Sequence, residues 1–307
     1  MSSETLIREG RYALIRADAF EWLPHRHANS VHAVVTDPPY GIIEYTAEQL
    51  YKRRNGRGGI WRLPQAFDGH KRNPVPRFTV LRPSDYARIE SFHAKLSRLL
   101  IKVLVPGGHV IIASQTLLSH LVISAFVNAG FEMRGQIARI VKTLRGGDRP
   151  KGDSSKYLHL SVSPRCCWEP WLVFRKPCGG RVIDNLKTWG TGALRRPKRT
   201  KPFSDLIWSS PARGWERKIS PHPSLKPQAF MRQIVWASLP LGKGIVLDPF
   251  MGSGSTIAAA EFLGLKSIGL ELDTEYFKLA KRAVPLVARW EPPNGGNGRP
   301  EYLSNKV

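Results

Sequence analysis

Residues 244–256 read G-I-V-L-D-P-F-M-G-S-G-S-T, and the succession of residue types in this stretch sets the architecture. The apolar run up to Asp248 is of the kind buried on both faces of a parallel sheet. The text from Phe250 to Gly254 then breaks it with a glycine-rich turn, and the S-T-I-A-A-A that follows favours a helix. Strand, glycine turn and helix start in succession form one half of a strand–helix–strand unit. Working outward, the same alternation recurs along the chain. Further strands are expected at 31–36, 109–113, 135–142, 171–175 and 267–272, with the strand of the opening stretch at 245–248. Helices are expected at 84–104, 116–129, 227–238, 254–263 and 274–284. Short apolar runs alternating with longer amphipathic ones predict an α/β fold with a mostly parallel central sheet, in one domain over residues 1–290.

The charge of the chain points to its partner. Its 307 residues carry 47 Lys and Arg against 24 Asp and Glu, a net charge of +23. That is more than solubility requires and suits a polyanion, although an anionic membrane surface would attract the same charge. Residues 134–218 hold 20 Lys and Arg against 6 Asp and Glu, more than half of the excess, interleaved with Trp168, Trp171, Trp189, Trp208 and Trp215. Cations hold phosphates and aromatic faces stack on bases, so nucleic acid is the partner this segment fits. The glycine- and arginine-rich residues 41–83 read as a basic mobile loop, and residues 291–307 as a disordered tail. No apolar run approaches the roughly 20 residues of a bilayer span. Cys166, Cys167 and Cys178 form neither a disulfide framework nor a metal-ligand pattern. A cytoplasmic protein with no membrane and no metal is expected.

A second chemical stretch, V-H-A-V-V-T-D-P-P-Y-G at residues 31–41, runs from a buried strand directly into polar groups. Open α/β sheets place their ligands at strand carboxyl ends. Pro38 and Pro39 fix φ and present carbonyls without N–H groups, Asp37 adds a carboxylate and Tyr40 a flat stacking face. Acceptors beside an aromatic ring suit a planar amine. In the opening stretch Gly252 and Gly254 remove side chains so that backbone N–H groups can approach a ligand at a helix start, with Ser255 and Thr256 beginning that helix. Glu271 ends the next strand, where an acidic residue can hold both hydroxyls of a ribose. The spacing F-x-G-x-G is neither the dinucleotide G-x-G-x-x-G nor the phosphate-binding loop with its G-K-S/T, which argues against hydride and phosphoryl transfer.

Together these stretches resemble the amino-directed S-adenosylmethionine-dependent DNA methyltransferases in their circularly permuted β class, over roughly residues 11–287. The family's D-P-P-Y matches Asp37, Pro38, Pro39 and Tyr40. Its D-P-F-x-G-S-G matches residues 248–254, with the catalytic motif first in sequence as that class requires. P-H-P-S-L-K-P at 221–227 is similar to the family's H-P-x-x-K-P, and I-G-L-E-L-D-T-E-Y-F-K-L-A-K-R at 268–282 to its acidic motif and following helix. The resemblance implies a Rossmann-like methyltransferase fold, S-adenosylmethionine as cofactor and double-stranded DNA as substrate. Within A-D-A-F-E-W-L at 17–23, it implies a contact from Asp18 to the cofactor's adenine. It further implies Glu271 on the ribose, and Lys226, near His222, at the methionine carboxylate. Asp248 would face the methionine ammonium, Phe250, Gly252 and Gly254 would form the loop, and Asp37 would border both ligands. W-E-P-W-L-V-F-R-K at 168–176 resembles the family's H-E-x-x-L-x-F-x-K, with Trp168 in place of the histidine, where it can stack on a displaced base.

The target implied by D-P-P-Y is adenine N6, with cytosine N4 as the alternative because both present an amine beside a ring nitrogen. Cytosine C5 chemistry needs a cysteine nucleophile after a proline; Cys178 follows Pro177, but it lies beyond the strand expected at 171–175, and the D-P-P-Y stretch holds no cysteine. A nucleic-acid-binding protein keeping a decayed methyltransferase fold is the rival from another class. DNA phosphate contacts are expected from Arg195, Arg196, Lys198, Arg199 and Lys201. The recognition sequence is not legible, and neither is the oligomeric state, with a homodimer among the options.

Overall fold

The computed structural model describes residues 5–39, 83–141, 156–161, 164–212, 214–222 and 225–290. The expected basic loop at 41–83 lies outside the described residues up to 82, as do Tyr40 and the expected tail at 291–307. The chain opens with a hairpin, β1 (Thr5–Glu9) and β2 (Tyr12–Arg16), and the short α1 (Ala19–Trp22), whose amino end is capped by the Asp18 side chain. Next come β3 (Val31–Thr36), α2 (Pro83–Val103), β4 (Leu104–Ala113), α3 (Ser119–Asn128) and β5 (Glu132–Ile140). Then follow β6 (Trp168–Arg175), α4 (Val182–Trp189), β7 (Leu206–Trp208), α5 (Gly214–Ile219), α6 (Gln228–Ser238), β8 (Ile245–Asp248), α7 (Ser255–Phe262), β9 (Lys266–Glu271) and α8 (Thr274–Arg289).

These strands form one sheet in the order β1-β2-β9-β8-β3-β4-β6-β5-β7. The pairs β2·β9, β9·β8, β8·β3, β3·β4 and β5·β7 are parallel, whereas β1 against β2 and β6 against both β4 and β5 are antiparallel. The mostly parallel α/β sheet expected from the alternation is therefore present. Both faces are covered, which is why the strands read as nearly continuous apolar runs. Along β3, Val34 packs into a layer with Leu96, Leu100, Phe126 and Phe174. Its neighbours Ala33 and Val35 pack into the opposite layer with Phe230, Ile234 and Ala259. Among the described residues no helix is long and apolar enough to cross a membrane.

Strand direction positions the site. Thr36, Asp248 and Glu271 end the neighbouring parallel strands β3, β8 and β9, so their polar groups meet along one edge. Because β6 runs the other way, the same edge receives its amino end, Trp168 and Glu169.

Candidate active site

A cleft of about 1130 Å³ opens along that edge. At its floor, Asp248 is 3% exposed and its Oδ1 accepts hydrogen bonds from the Thr36 hydroxyl at 2.7 Å and the Phe250 N–H at 3.1 Å. The Thr36 bond ties the two motifs together, 212 residues apart in sequence. Burial pushes the Asp248 carboxyl up to about 6, against the hydrogen bonds from Thr256, Thr36 and Phe250.

Gly252 and Gly254 hold left-handed conformations, with φ of 53° and 85°. A Cβ at Gly252 would come 3.2 Å from the His222 ring, and one at Gly254 would collide with the Val284 Cγ2. The left-handed conformation disfavours a side chain at both positions, and at Gly254 there is no space for one either. Glu271 clamps the turn: its Oε2 accepts from the Gly252 N–H at 2.9 Å and its Oε1 from the Asp273 N–H at 2.8 Å. Burial raises its carboxyl above the ordinary range. Ser255 and Thr256 line the cleft at the start of α7. His222 stands edge-on against Tyr276 at 4.3 Å. Burial, with Lys226 and Arg217 nearby, holds its pKa down to about 4, so the imidazole is neutral at pH 7.

An aromatic trio closes this side of the cleft. The rings of Phe20 and Phe92 meet edge-on at 5.1 Å, and Phe250 lies 5.8 Å from Phe92 and 6.2 Å from Phe20. Asp18 stands beside them, its Oδ1 accepting from the Phe20 N–H at 2.7 Å. Sequence reasoning names Phe250 but misses Phe20 and Phe92. Phe20 falls inside the segment 17–23 that carries Asp18, and nothing local marks Phe92.

The other side holds Asp37, Pro38 and Pro39. Lys226, expected at a cofactor carboxylate, ion-pairs with Asp37 Oδ2 and lies 3.5 Å from Glu169 Oε1. Strand β6 delivers this second carboxylate to the same spot. Burial would lower the Lys226 ammonium, but Asp37 and Glu169 outweigh it and raise its pKa. Burial would likewise raise Glu169, yet Lys226 and Arg139 hold it well below the ordinary carboxylate range. Arg139 donates to Glu169 Oε2 at 2.7 Å, and the Trp171 indole N–H reaches the same oxygen at 3.3 Å. Trp168 sits at the rim, 37% exposed.

The basic run lies elsewhere. The Arg195 guanidinium stacks 3.3 Å over Trp236, and its backbone N–H donates to the Ala237 carbonyl near the far end of α6. Burial lowers its pKa, and Arg195 is a packing residue there. Arg196, Lys198, Arg199 and Lys201 are exposed.

With this geometry in view, similarity to known proteins decides the family. A model described as DNA methylase, of the N6/N4 type, matches residues 31–282. The chain belongs to the N6/N4 DNA methylase family. The type II methyltransferase M2.LlaDCHI of Lactococcus lactis subsp. cremoris is 37% identical over 271 residues, covering 88% of each chain. The structure of TTHA0409 from Thermus thermophilus complexed with S-adenosyl-L-methionine shares the fold at a TM-score of 0.57 and 20% identity, over 92% of this chain and 96% of that one. The cytosine-N4-specific PvuII DNA methyltransferase aligns at a TM-score of 0.56 and 12% identity, over 98% of this chain and 94% of its own. The methylase thus has the Rossmann-like methyltransferase fold.

Proposed function

We propose that this methylase transfers a methyl group from S-adenosylmethionine to N6 of adenine in double-stranded DNA, with the target nucleotide turned out of the helix. Its catalytic motif precedes its cofactor turn, the order of the permuted β class. The single observation that carries the reading is the Thr36–Asp248 hydrogen bond, which sets the D-P-P segment and the glycine turn at adjoining strand ends of one cleft.

The residues present fit the cofactor. Phe20, Phe92 and Phe250 suit its adenine, with Asp18 at the rim, and Glu271 suits the ribose hydroxyls. At Gly252 a Cβ would crowd the His222 ring, so glycine keeps this wall of the cleft clear, and the Asp248 carboxylate lining the same cleft suits a cationic amine. A cleft of about 1130 Å³ exceeds the ~300–1000 Å³ of a common small-ligand pocket, which leaves room for a base as well. When bound, S-adenosylmethionine supplies a methyl group activated by its sulfonium.

The chain's own residues act on the amine. An exocyclic amino nitrogen is a poor nucleophile because its lone pair is delocalised into the ring. Asp37 and the Pro38 carbonyl accept its two N–H groups and favour a pyramidal nitrogen. Positive charge grows on that nitrogen during attack, so a carboxylate and a carbonyl stabilise the transition state more than the ground state. Trp168 offers a stacking face for the extruded base, whose unstacking costs a few kcal/mol. The exposed Arg196, Lys198, Arg199 and Lys201 supply phosphate contacts of little sequence preference.

The carboxylate at position 37 favours adenine; the fold shared with an N4-specific enzyme keeps cytosine N4 as the second reading. Mass analysis of nucleosides from duplex DNA treated with protein and S-adenosylmethionine separates them. N6-methyladenine is expected. N4-methylcytosine alone would reverse the choice of base, and tight DNA binding without cofactor uptake would support a binding protein on a decayed fold.

A further inference from the structure

We infer that Glu169 and Arg139 are positioning residues for methyl transfer, acting through Lys226 to hold Asp37 as an aimed carboxylate, and that Lys226 serves the catalytic motif rather than a cofactor carboxylate. The inference rests on the role given to Asp37 above. Four charges alternate in a chain from β3 to β5: Asp37, Lys226, Glu169 and Arg139. Lys226 and Arg139 are only 8% and 6% exposed, so neither cation can rely on water and each depends on its carboxylate partners.

The order of the charges matters for catalysis. An ammonium paired with Asp37 alone would cancel the carboxylate where positive charge must develop. Glu169, 3.5 Å from the same ammonium, draws part of its field away and leaves Asp37 able to polarise the amine. Glu169 is itself held rigidly. Arg139 and Glu169 are register partners across β5 and β6, and the Trp171 indole holds the carboxylate from its own strand. Arg139 is anchored in turn by the Ser209 hydroxyl at 3.0 Å and the Ser210 carbonyl at 3.3 Å, just beyond β7. Glu169 and Arg139 thus both sit on paired strands, the arrangement that keeps a reacting group within a fraction of an ångström of its working place.

Glu169→Gln removes the charge while keeping an oxygen for Arg139 and Trp171. With duplex DNA and S-adenosylmethionine, kcat should fall tenfold or more while both KM values, and the calorimetric Kd for S-adenosylmethionine, stay within threefold of wild type. Glu169→Asp, which restores the charge, should recover part of the lost kcat. A kcat within threefold of wild type would overturn the inference, and so would a loss matched by weakened cofactor binding. Lys226→Met supplies a readout independent of turnover. Its Kd for S-adenosylmethionine should stay within threefold, whereas a tenfold rise would place Lys226 on the cofactor. Absence of methyl transfer by the wild-type protein would defeat the functional reading, and the calorimetry would then decide the placement of Lys226 by itself.

Discussion

Asp248→Asn should make the methylase more stable above pH 6 and less able to bind its cofactor. Asp248 is 3% exposed, and burial moves its carboxyl from an ordinary 3.8 up to about 6. A carboxyl raised on folding contributes stability that is complete below its unfolded pKa and lost as pH rises through the folded one. That displacement corresponds to about 3 kcal/mol, of which roughly half is lost between pH 5 and pH 8. Asparagine keeps an oxygen for Thr36 and Phe250 and carries no charge at either pH. Urea unfolding of both proteins at pH 5 and pH 8 should therefore show the wild type losing on the order of 1 kcal/mol more than the variant over that interval. Glu271 and Glu216, also raised by burial, cancel in the difference between the two proteins. Cofactor affinity should fall, because a buried charge kept at such a cost is suited to an ammonium ligand. Equal pH dependence in the two proteins would refute the reasoning about Asp248.

Gly254→Ala should destabilise by about 2–5 kcal/mol, since a side chain there adopts a left-handed conformation and meets Val284; a Gly254→Ala/Val284→Ala double variant should recover the packing part in the same denaturation assay. Asp37→Ala should nearly abolish turnover while calorimetry shows cofactor binding intact, and Glu271→Ala should weaken cofactor binding; the reverse pattern would mean the two halves of the cleft are misassigned. Replacing Lys198, Arg199 and Lys201 by Gln should flatten the salt dependence of DNA binding by roughly 0.9 for each phosphate no longer neutralised. Arg195→Gln should leave that slope alone and lower Tm instead, by removing its stack on Trp236.

The parallel sheet was legible because burial on both faces leaves a continuous apolar run: β3 and β8 occupy the residues expected, and the other expected strands differ only at their ends. The strand expected at 135–142 is β5 at Glu132–Ile140, and helix α8 runs on to Arg289, past Pro285, because its apolar stripe continues through Val287 and Ala288. Elements outside that pattern were missed. The β1–β2 hairpin lies at the sheet edge with charges among its apolar residues, β7 has only three residues, and α4 and α5 are short. In the cleft, Asp37, Asp248, Gly252, Gly254 and Glu271 were legible because each belongs to a strand end whose chemistry is local. Glu169 showed only as a fixed position of the motif at 168–176; its place in the cleft did not, because that depends on β6 running antiparallel and on its register with Arg139. Lys226 was found but its partner was not, for the same reason.

The most direct measurement is modification-sensitive sequencing of DNA from cells carrying the intact gene, the gene with Asp37→Ala, and no gene. N6-methyladenine should occur at one recurring motif with the intact gene and be missing from the other two. A mark on cytosine, or the same adenine mark with Asp37→Ala, would contradict the assignment of adenine methylation to Asp37 in this cleft.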